Sequence, residues 1–200
     1  MKYSPIAHHR RSIRLKGYDY SSAGAYFVTL CVQDRECLFG DVVGTEIQLN
    51  EYGNIVAEEW TKTAVIRPTV ELDEWIGMPN HFHGIIVIVD PIGTSSDIVG
   101  ATRRVAPTCS GVNPCGPVSG SVGAIIGQFK SITTKRINQI RNTPGKRVWQ
   151  RNYYEHVIRD ERELNRIRQY IADNSAKWDI DREHPSRAGR PSPQQSWMDI

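Results

Sequence analysis

The apolar positions change period several times along the chain, and each change marks an element. Ala25-Tyr-Phe-Val-Thr-Leu-Cys-Val32 is β-branched and aromatic and follows a Ser-Ser-Ala-Gly turn, which predicts a strand. A short strand is expected near Glu46–Asn50. From Tyr52 to Thr63 the spacing of Ile55, Val56 and Trp60 around Glu58 and Glu59 predicts an amphipathic helix that stops before Pro68. Thr69–Ile76 and Phe82–Val89 then read as two strands joined by Gly77-Met-Pro-Asn80. Ser121 can cap a helix running to about Arg141, with Ile125, Phe129, Ile132, Ile137 and Ile140 on or near one side. Arg147–Ile158 reads as a strand, and Asp160 caps a last helix from Glu161 to Asn174.

Strand, helix, strand, strand, helix, strand is the order of the α+β, ferredoxin-like split βαβ fold. The expected architecture is an antiparallel sheet with helices on one face and a C-terminal helix appended. Between residues 90 and 120 the periodicity disappears, and 16 of 31 residues are Gly, Pro, Ser or Thr, which predicts a mobile insertion. With 200 residues the chain is long enough for one domain with a proper core, so residues 1–180 are expected to form it and 181–200 an irregular tail.

Net charge is only +3, but it is unevenly spread. Residues 1–18 hold five Lys/Arg and no acid, and residues 121–151 hold seven and no acid, leaving 13 basic against 22 acidic residues elsewhere. Blocks of one sign are the footprint of a protein that meets a polyanion. Candidate phosphate contacts are Arg10, Arg11 and Arg14 in the N-terminal arm, and Lys130, Lys135, Arg136, Arg141, Lys146, Arg147 and Arg151 on and after the basic helix. No apolar run approaches the roughly 20 residues of a membrane span, and the N-terminus lacks the apolar stretch of a signal peptide, so a cytoplasmic protein is expected. Cys31, Cys37, Cys109 and Cys115 fall in two C-x5-C pairs that match neither a zinc knuckle nor a redox pair, and reduced thiols are expected.

The densest chemistry lies in Asn80-His-Phe-His83. On a strand, side chains at i and i+2 project from one face, so His81 and His83 point the same way, as paired metal ligands would. A sheet rim often carries such a pair for no chemical reason, so a second set of groups has to converge on it. Tyr170 and Asn174, one turn apart on the last helix beside the apolar stripe Leu164, Ile167 and Ile171, are placed to do so. Two imidazoles and an amide oxygen make three neutral ligands for a divalent ion, and the tyrosine is a nucleophile. His156 reads first as a hydrogen-bonded sheet histidine. Tyr153 and Tyr154 are rival nucleophiles, but adjacent strand residues face opposite sides and neither has a ligand one turn away.

Met78-Pro-Asn-His-Phe-His83, the basic helix, Val148-Trp-Gln-Arg-Asn-Tyr-Tyr-Glu-His156 and Tyr170-Ile-Ala-Asp-Asn174 together resemble the single-tyrosine HUH transposases, especially the REP-associated tyrosine transposases. The similarity spans roughly residues 12–180. Ser175 stands where family members commonly carry Pro. The resemblance implies that His81, His83 and Asn174 bind Mg²⁺ or Mn²⁺ and that Tyr170 is the catalytic nucleophile. It further implies a bacterial, nucleoid-associated enzyme that nicks and rejoins single-stranded DNA beside a hairpin, through a 5′-phosphotyrosine. Two other readings remain open at this level: a non-catalytic nucleic-acid-binding module that stacks bases on Tyr26 or Phe27, and a replication-initiator or relaxase-type nickase. Enzymes of the second kind that resemble a circular permutation carry the tyrosine before the histidine pair, whereas Tyr170 follows it. Monomer and helix-swapped homodimer are equally compatible with the 161–174 stripe.

Overall fold

The computed structural model describes residues 15, 17–90, 116–181 and 183–187. The arm with Arg10, Arg11 and Arg14 lies outside them, as does the 90–120 segment apart from its ends. No helix among the described residues is long and apolar enough to cross a membrane.

Strand β1 (Gly24–Cys31) leads through a hairpin of β2 (Gly40–Val43) and β3 (Glu46–Leu49) into helix α1 (Glu51–Val65). The first strand of that hairpin is too short, at four residues, for its sequence pattern to reveal it. Asn50 caps α1 by accepting from the backbone N–H groups of Tyr52 and Gly53 at 2.9 and 3.0 Å, and the helix ends ahead of Pro68. Next come β4 (Val70–Gly77), β5 (His81–Ile88), α2 (Val122–Ile140), β6 (Tyr154–Ile158) and α3 (Glu161–Ala172). The main sheet runs β4-β5-β1-β6, every pairing antiparallel, with a register shift in β4 between Leu72 and Trp75. Leaving aside the small hairpin, this is the strand order of the split βαβ fold expected from the sequence.

Alternation along β1 and β5 assigns the two faces. Tyr26, Val28, Leu30, Phe82, Ile86 and Ile88 join Trp60 of α1 and Ile125, Phe129 and Ile137 of α2 in the larger core. Phe27 and Ile85 point the other way, where Ile158, Ile167 and Ile171 form a second, smaller core under α3. Helices α1 and α2 therefore cover one face and the appended helix the other. Ile140, expected on the apolar side of α2, is exposed, while Val122 and Ile126 are buried in its place.

At Gly84 a Cβ would stand 2.5 Å from Trp60 Cζ2 and 2.9 Å from Phe82 Cε1, because α1 lies close against β5 there. Gly84→Ala is expected to lower stability by about 1–3 kcal/mol through overpacking, read as a shifted midpoint of denaturant unfolding.

The strand expected over 147–158 is shorter than that reading. Trp149 docks on α2, its indole N–H donating to Thr133 Oγ1 at 2.9 Å, and meets β1's exit only through an isolated bridge to Val32. Regular pairing begins at Tyr154. The last helix is shorter too: Asp173 is its C-cap, and Asn174 lies in a tighter turn, its N–H donating to the carbonyl of Ile171. Its start is as expected, with Asp160 Oδ1 accepting from Glu163 N–H at 2.8 Å and the Glu163 carboxylate accepting from Arg159 N–H at 2.8 Å.

Candidate active site

The site forms on the α3 side of the sheet, where β1 and β5 pair Thr29 with His83 and Cys31 with His81. Both imidazoles are buried, with ring centroids 4.6 Å apart. The i, i+2 argument thus places them as expected, side by side. His83 shares a hydrogen bond with Thr29 through Nδ1 (2.8 Å) and another with the Tyr170 hydroxyl through Nε2 (3.3 Å). Phe27 stacks on His83 and meets the Tyr170 ring edge-on, so the nucleophile candidate stands in an aromatic socket.

His81 Nδ1 lies 2.9 Å from Asn80 Oδ1, while its Nε2 is buried with no hydrogen-bond partner. Asn174 is also buried, and its Oδ1 likewise has none. The Asn174 amide nitrogen points to Asp181 Oδ2 at 3.5 Å, which leaves the oxygen as the atom available to His81. Burial pulls the His81 imidazole down to about 3; Asn174 opposes that shift by favouring the protonated ring, and the nearby charge of Arg35 adds to it. Burial, followed by the neighbouring His81, holds His83 well below the usual imidazole range as well. Both rings are therefore neutral at physiological pH, which is the metal-binding form. No group of three His, Cys, Asp or Glu side chains among the described residues is arranged to hold a metal ion. A cation here would accordingly rest on two imidazoles and an amide. Two buried atoms, the amide oxygen of Asn174, which can only accept, and His81 Nε2, which accepts when the ring proton sits on Nδ1, fit that role, since each lacks a hydrogen-bond partner among the described residues.

Several members of the site were not anticipated. Thr29, Asn80, Asp181 and Glu183 join it from β1, from the turn ahead of β5 and from the segment after α3. Burial raises the Asp181 carboxyl above the usual carboxylate range. Glu183 pairs with Arg35 at 3.2 Å and its backbone carbonyl accepts from Asn80 at 2.6 Å, so this part of the tail packs on the domain. Trp178 lies 6.0 Å from the His81 ring. The i, i+2 and i, i+4 rules reveal partners within one element, whereas Thr29–His83 and Asn80–Glu183 join residues distant in sequence. His156 bonds Glu163 at 2.8 Å and ties β6 to the start of α3, as its structural reading requires. Tyr153 packs toward the larger core and Tyr154 toward the smaller, on opposite faces.

The basic residues separate into two groups. Lys135, Lys146, Arg147 and Arg151 are exposed around an open groove of about 930 Å³ between α2 and the 142–151 segment, and no carboxylate lines it. Lys130 reaches the same groove, but its ammonium donates to the carbonyls of Gln150 and Arg151, and burial pulls it down to about 8. Arg136 faces α1, where Glu58 and Glu59 match its charge at 2.8 and 2.6 Å. Arg141 donates to Asn138 Oδ1 at 2.9 Å. Tyr26 and Phe27 are both buried beneath helices, so neither offers a face on which a base could stack.

A REP-associated tyrosine transposase bound to a REP hairpin superposes on this chain with a TM-score of 0.53 at 18% identity, covering 84% of this chain and 74% of that one. The fold is that of the REP-associated tyrosine transposases. No family model matches the sequence. A Haemophilus influenzae (strain ATCC 51907 / DSM 11121 / KW20 / Rd) protein described as uncharacterized is 40% identical over 180 residues, which is 90% of this chain and 96% of that one. The chain belongs to the family of that Haemophilus protein.

Proposed function

We propose that the protein is a transposase: a metal-dependent single-strand DNA endonuclease and strand transferase that acts on hairpin-bearing DNA through a 5′-phosphotyrosine. The observation that carries this reading is the Tyr170 hydroxyl 3.3 Å from one of two buried, neutral histidines on a single strand face, with the amide oxygen of Asn174 beside the other. His81 Nε2, His83 Nε2 and Asn174 Oδ1 would hold Mg²⁺ or Mn²⁺, whose chemistry is to polarise the scissile phosphate and offset charge on its oxygens.

Tyr170 Oη attacks phosphorus, the P–O3′ bond breaks, and the 3′ oxygen leaves as a hydroxyl with a proton in exchange for the one the phenol gives up. The 5′-phosphate stays on Tyr170. A second DNA 3′-OH then attacks that phosphorus, the P–Oη bond breaks, and the strands are joined without ATP. A tyrosine with an ordinary pKa of about 10 has to lose its proton as it attacks. The hydroxyl lies 3.3 Å from His83 Nε2, and a cation held by that nitrogen would occupy the lone pair that could otherwise take the proton. The aromatic socket of Phe27 and His83 fixes the ring and leaves the phenol oxygen as its reactive end.

Lys135, Lys146, Arg147 and Arg151 would hold phosphates along the groove, together with Arg10, Arg11 and Arg14 of the arm, while Lys130, Arg136 and Arg141 mainly support the helix. The hairpin in the related transposase structure makes a folded hairpin the substrate to try first. Incubation with single-stranded hairpin DNA and Mn²⁺ should yield a covalent protein–DNA band, and its absence with every hairpin drawn from the host genome would remove the enzymatic reading.

The charge assignment has its own test. Lys146→Ala with Arg147→Ala should lower the slope of log affinity against log salt by roughly one unit for each phosphate no longer held. Arg136→Ala should leave the slope alone and cost no more than about 1 kcal/mol of stability. The opposite pattern would move the DNA track to the α1–α2 side.

A further inference from the structure

We infer that Asn80 is a positioning residue, which locks His81 into the tautomer with its proton on Nδ1 and so turns the bare Nε2 lone pair into the site. The inference rests on the reading of His81 as a metal ligand given above, and the geometry behind it is independent of that reading.

The Asn80 side chain is fully buried in the turn between β4 and β5. Its amide nitrogen donates to two backbone carbonyls, that of Glu183 at 2.6 Å and that of Arg35 at 3.3 Å. A carbonyl only accepts, so the NH₂ end must face the two of them, and the oxygen must face His81. That oxygen accepts and cannot donate. The 2.9 Å contact to His81 Nδ1 is therefore an N–H donating to Oδ1, and in a neutral ring the proton is then absent from Nε2. Nε2 is the buried atom with no hydrogen-bond partner among the described residues.

The amide is itself held firmly. Val32 N–H donates to the Asn80 carbonyl at 2.8 Å and Phe39 N–H to the Pro79 carbonyl at 2.9 Å, so the turn is pinned from two directions. Arg35, whose carbonyl is one of the two that orient the amide, has a left-handed backbone with φ of 57°. His83 lacks any such device. Its Nδ1 meets the Thr29 hydroxyl, a group that gives or takes a proton with equal ease and so dictates neither tautomer. Asn80 thus supplies the one-way orientation that a carboxylate or backbone carbonyl behind the ring provides to metal-binding histidines elsewhere.

The test uses the full chain labelled with ¹⁵N at histidine, without metal, at neutral pH. Long-range ¹H–¹⁵N correlations should show His81, assigned by the peaks missing from His81→Gln, protonated at Nδ1. Asn80→Ala should lose that preference and weaken Mn²⁺ binding by about 10–100-fold. Asn80→Asp keeps the acceptor and gives up both donated bonds. It should retain the Nδ1–H tautomer and recover most of the Mn²⁺ affinity, whereas a purely structural Asn80 would make the Asp variant at least as poor as Ala. A wild-type His81 protonated at Nε2 overturns the inference, and it does so even if Asn80→Ala fails to fold. So does an Asn80→Ala protein with unchanged tautomer and Mn²⁺ affinity. If wild type shows the Nδ1–H tautomer but Mn²⁺ binds equally well to His81→Gln, the tautomer assignment stands and the metal role proposed for His81 falls.

Discussion

Tyr170→Phe should abolish strand cleavage and the covalent DNA adduct while leaving the fold nearly untouched. The substitution deletes one oxygen from a half-buried ring that packs on the smaller core and stands edge-on to Phe27 and to His83. What disappears structurally includes the 3.3 Å hydrogen bond to a neutral imidazole, a contact worth about 1 kcal/mol of stability. What disappears chemically is the only nucleophile that the proposed mechanism uses, and the loss of activity should be complete within detection. Mass spectrometry of the wild-type adduct should put the nucleotide on the peptide containing Tyr170. If the nucleotide is found on Tyr153 or Tyr154, the helix-face argument is wrong although the reaction class survives. If Tyr170→Phe cleaves at the wild-type rate and no adduct forms, the single-tyrosine mechanism is wrong for this chain.

His81→Ala is expected to have nearly as large an effect on activity by a different route. The imidazole is buried and neutral, its Nδ1 is engaged by Asn80, and its Nε2 lacks a hydrogen-bond partner among the described residues. Removing it leaves Asn80 Oδ1 unpaired and opens a small cavity, at a cost of about 1–3 kcal/mol in stability. Divalent-ion-dependent cleavage should drop by at least about 10²–10³-fold, while hairpin binding in a gel-shift assay should be largely retained because the basic groove is lined by α2 and the 142–151 segment and shares no residue with the site. The corresponding His83→Ala change should behave similarly in cleavage and also release Thr29 and Tyr170. Unfolding in His83→Ala, with cleavage unaffected in His81→Ala, would return the pair to a structural role.

What the sequence makes legible follows from periodicity within single elements. His81 and His83 share a face because strand side chains alternate, and α3 can be placed because Asp160 is a helix cap while Leu164, Ile167 and Ile171 are a stripe. The strand order of the fold follows from the order of periods. Residues with partners distant in sequence stay hidden. Asn80 looks like an ordinary turn residue until Arg35 and Glu183 are seen to bracket it, and Thr29 looks like any strand threonine until β1 pairs with β5. Charge is the most misleading signal. Arg136 and Lys135 are neighbours in one acid-free block, yet only Arg136 turns toward Glu58 and Glu59, which are far away in sequence. The end of α3 departs from its pattern for a similar reason: the run to Asn174 is compatible with helix, but Asn174 is drawn into the interior beside His81 and Asp181, and the last turn tightens to let it in.

The two unequal cores bear on how this protein would fail under heat. Helix α2 anchors itself in the larger core with Val122, Ile125, Ile126, Phe129 and Ile137, whereas α3 contributes Ile167 and Ile171 to the smaller one, aided by the His156–Glu163 and Asp73–Arg168 pairs at its margins. A twelve-residue helix has little stability of its own in water. Its detachment should therefore cost less than melting the sheet, as a sub-global opening. Cleavage would then be lost reversibly several degrees below the circular-dichroism transition, and amide exchange around Tyr170 would outpace that of β1 and β5. The histidines and the groove would still be in place, so a warmed molecule would keep its grip on DNA after it had lost the means to cut it.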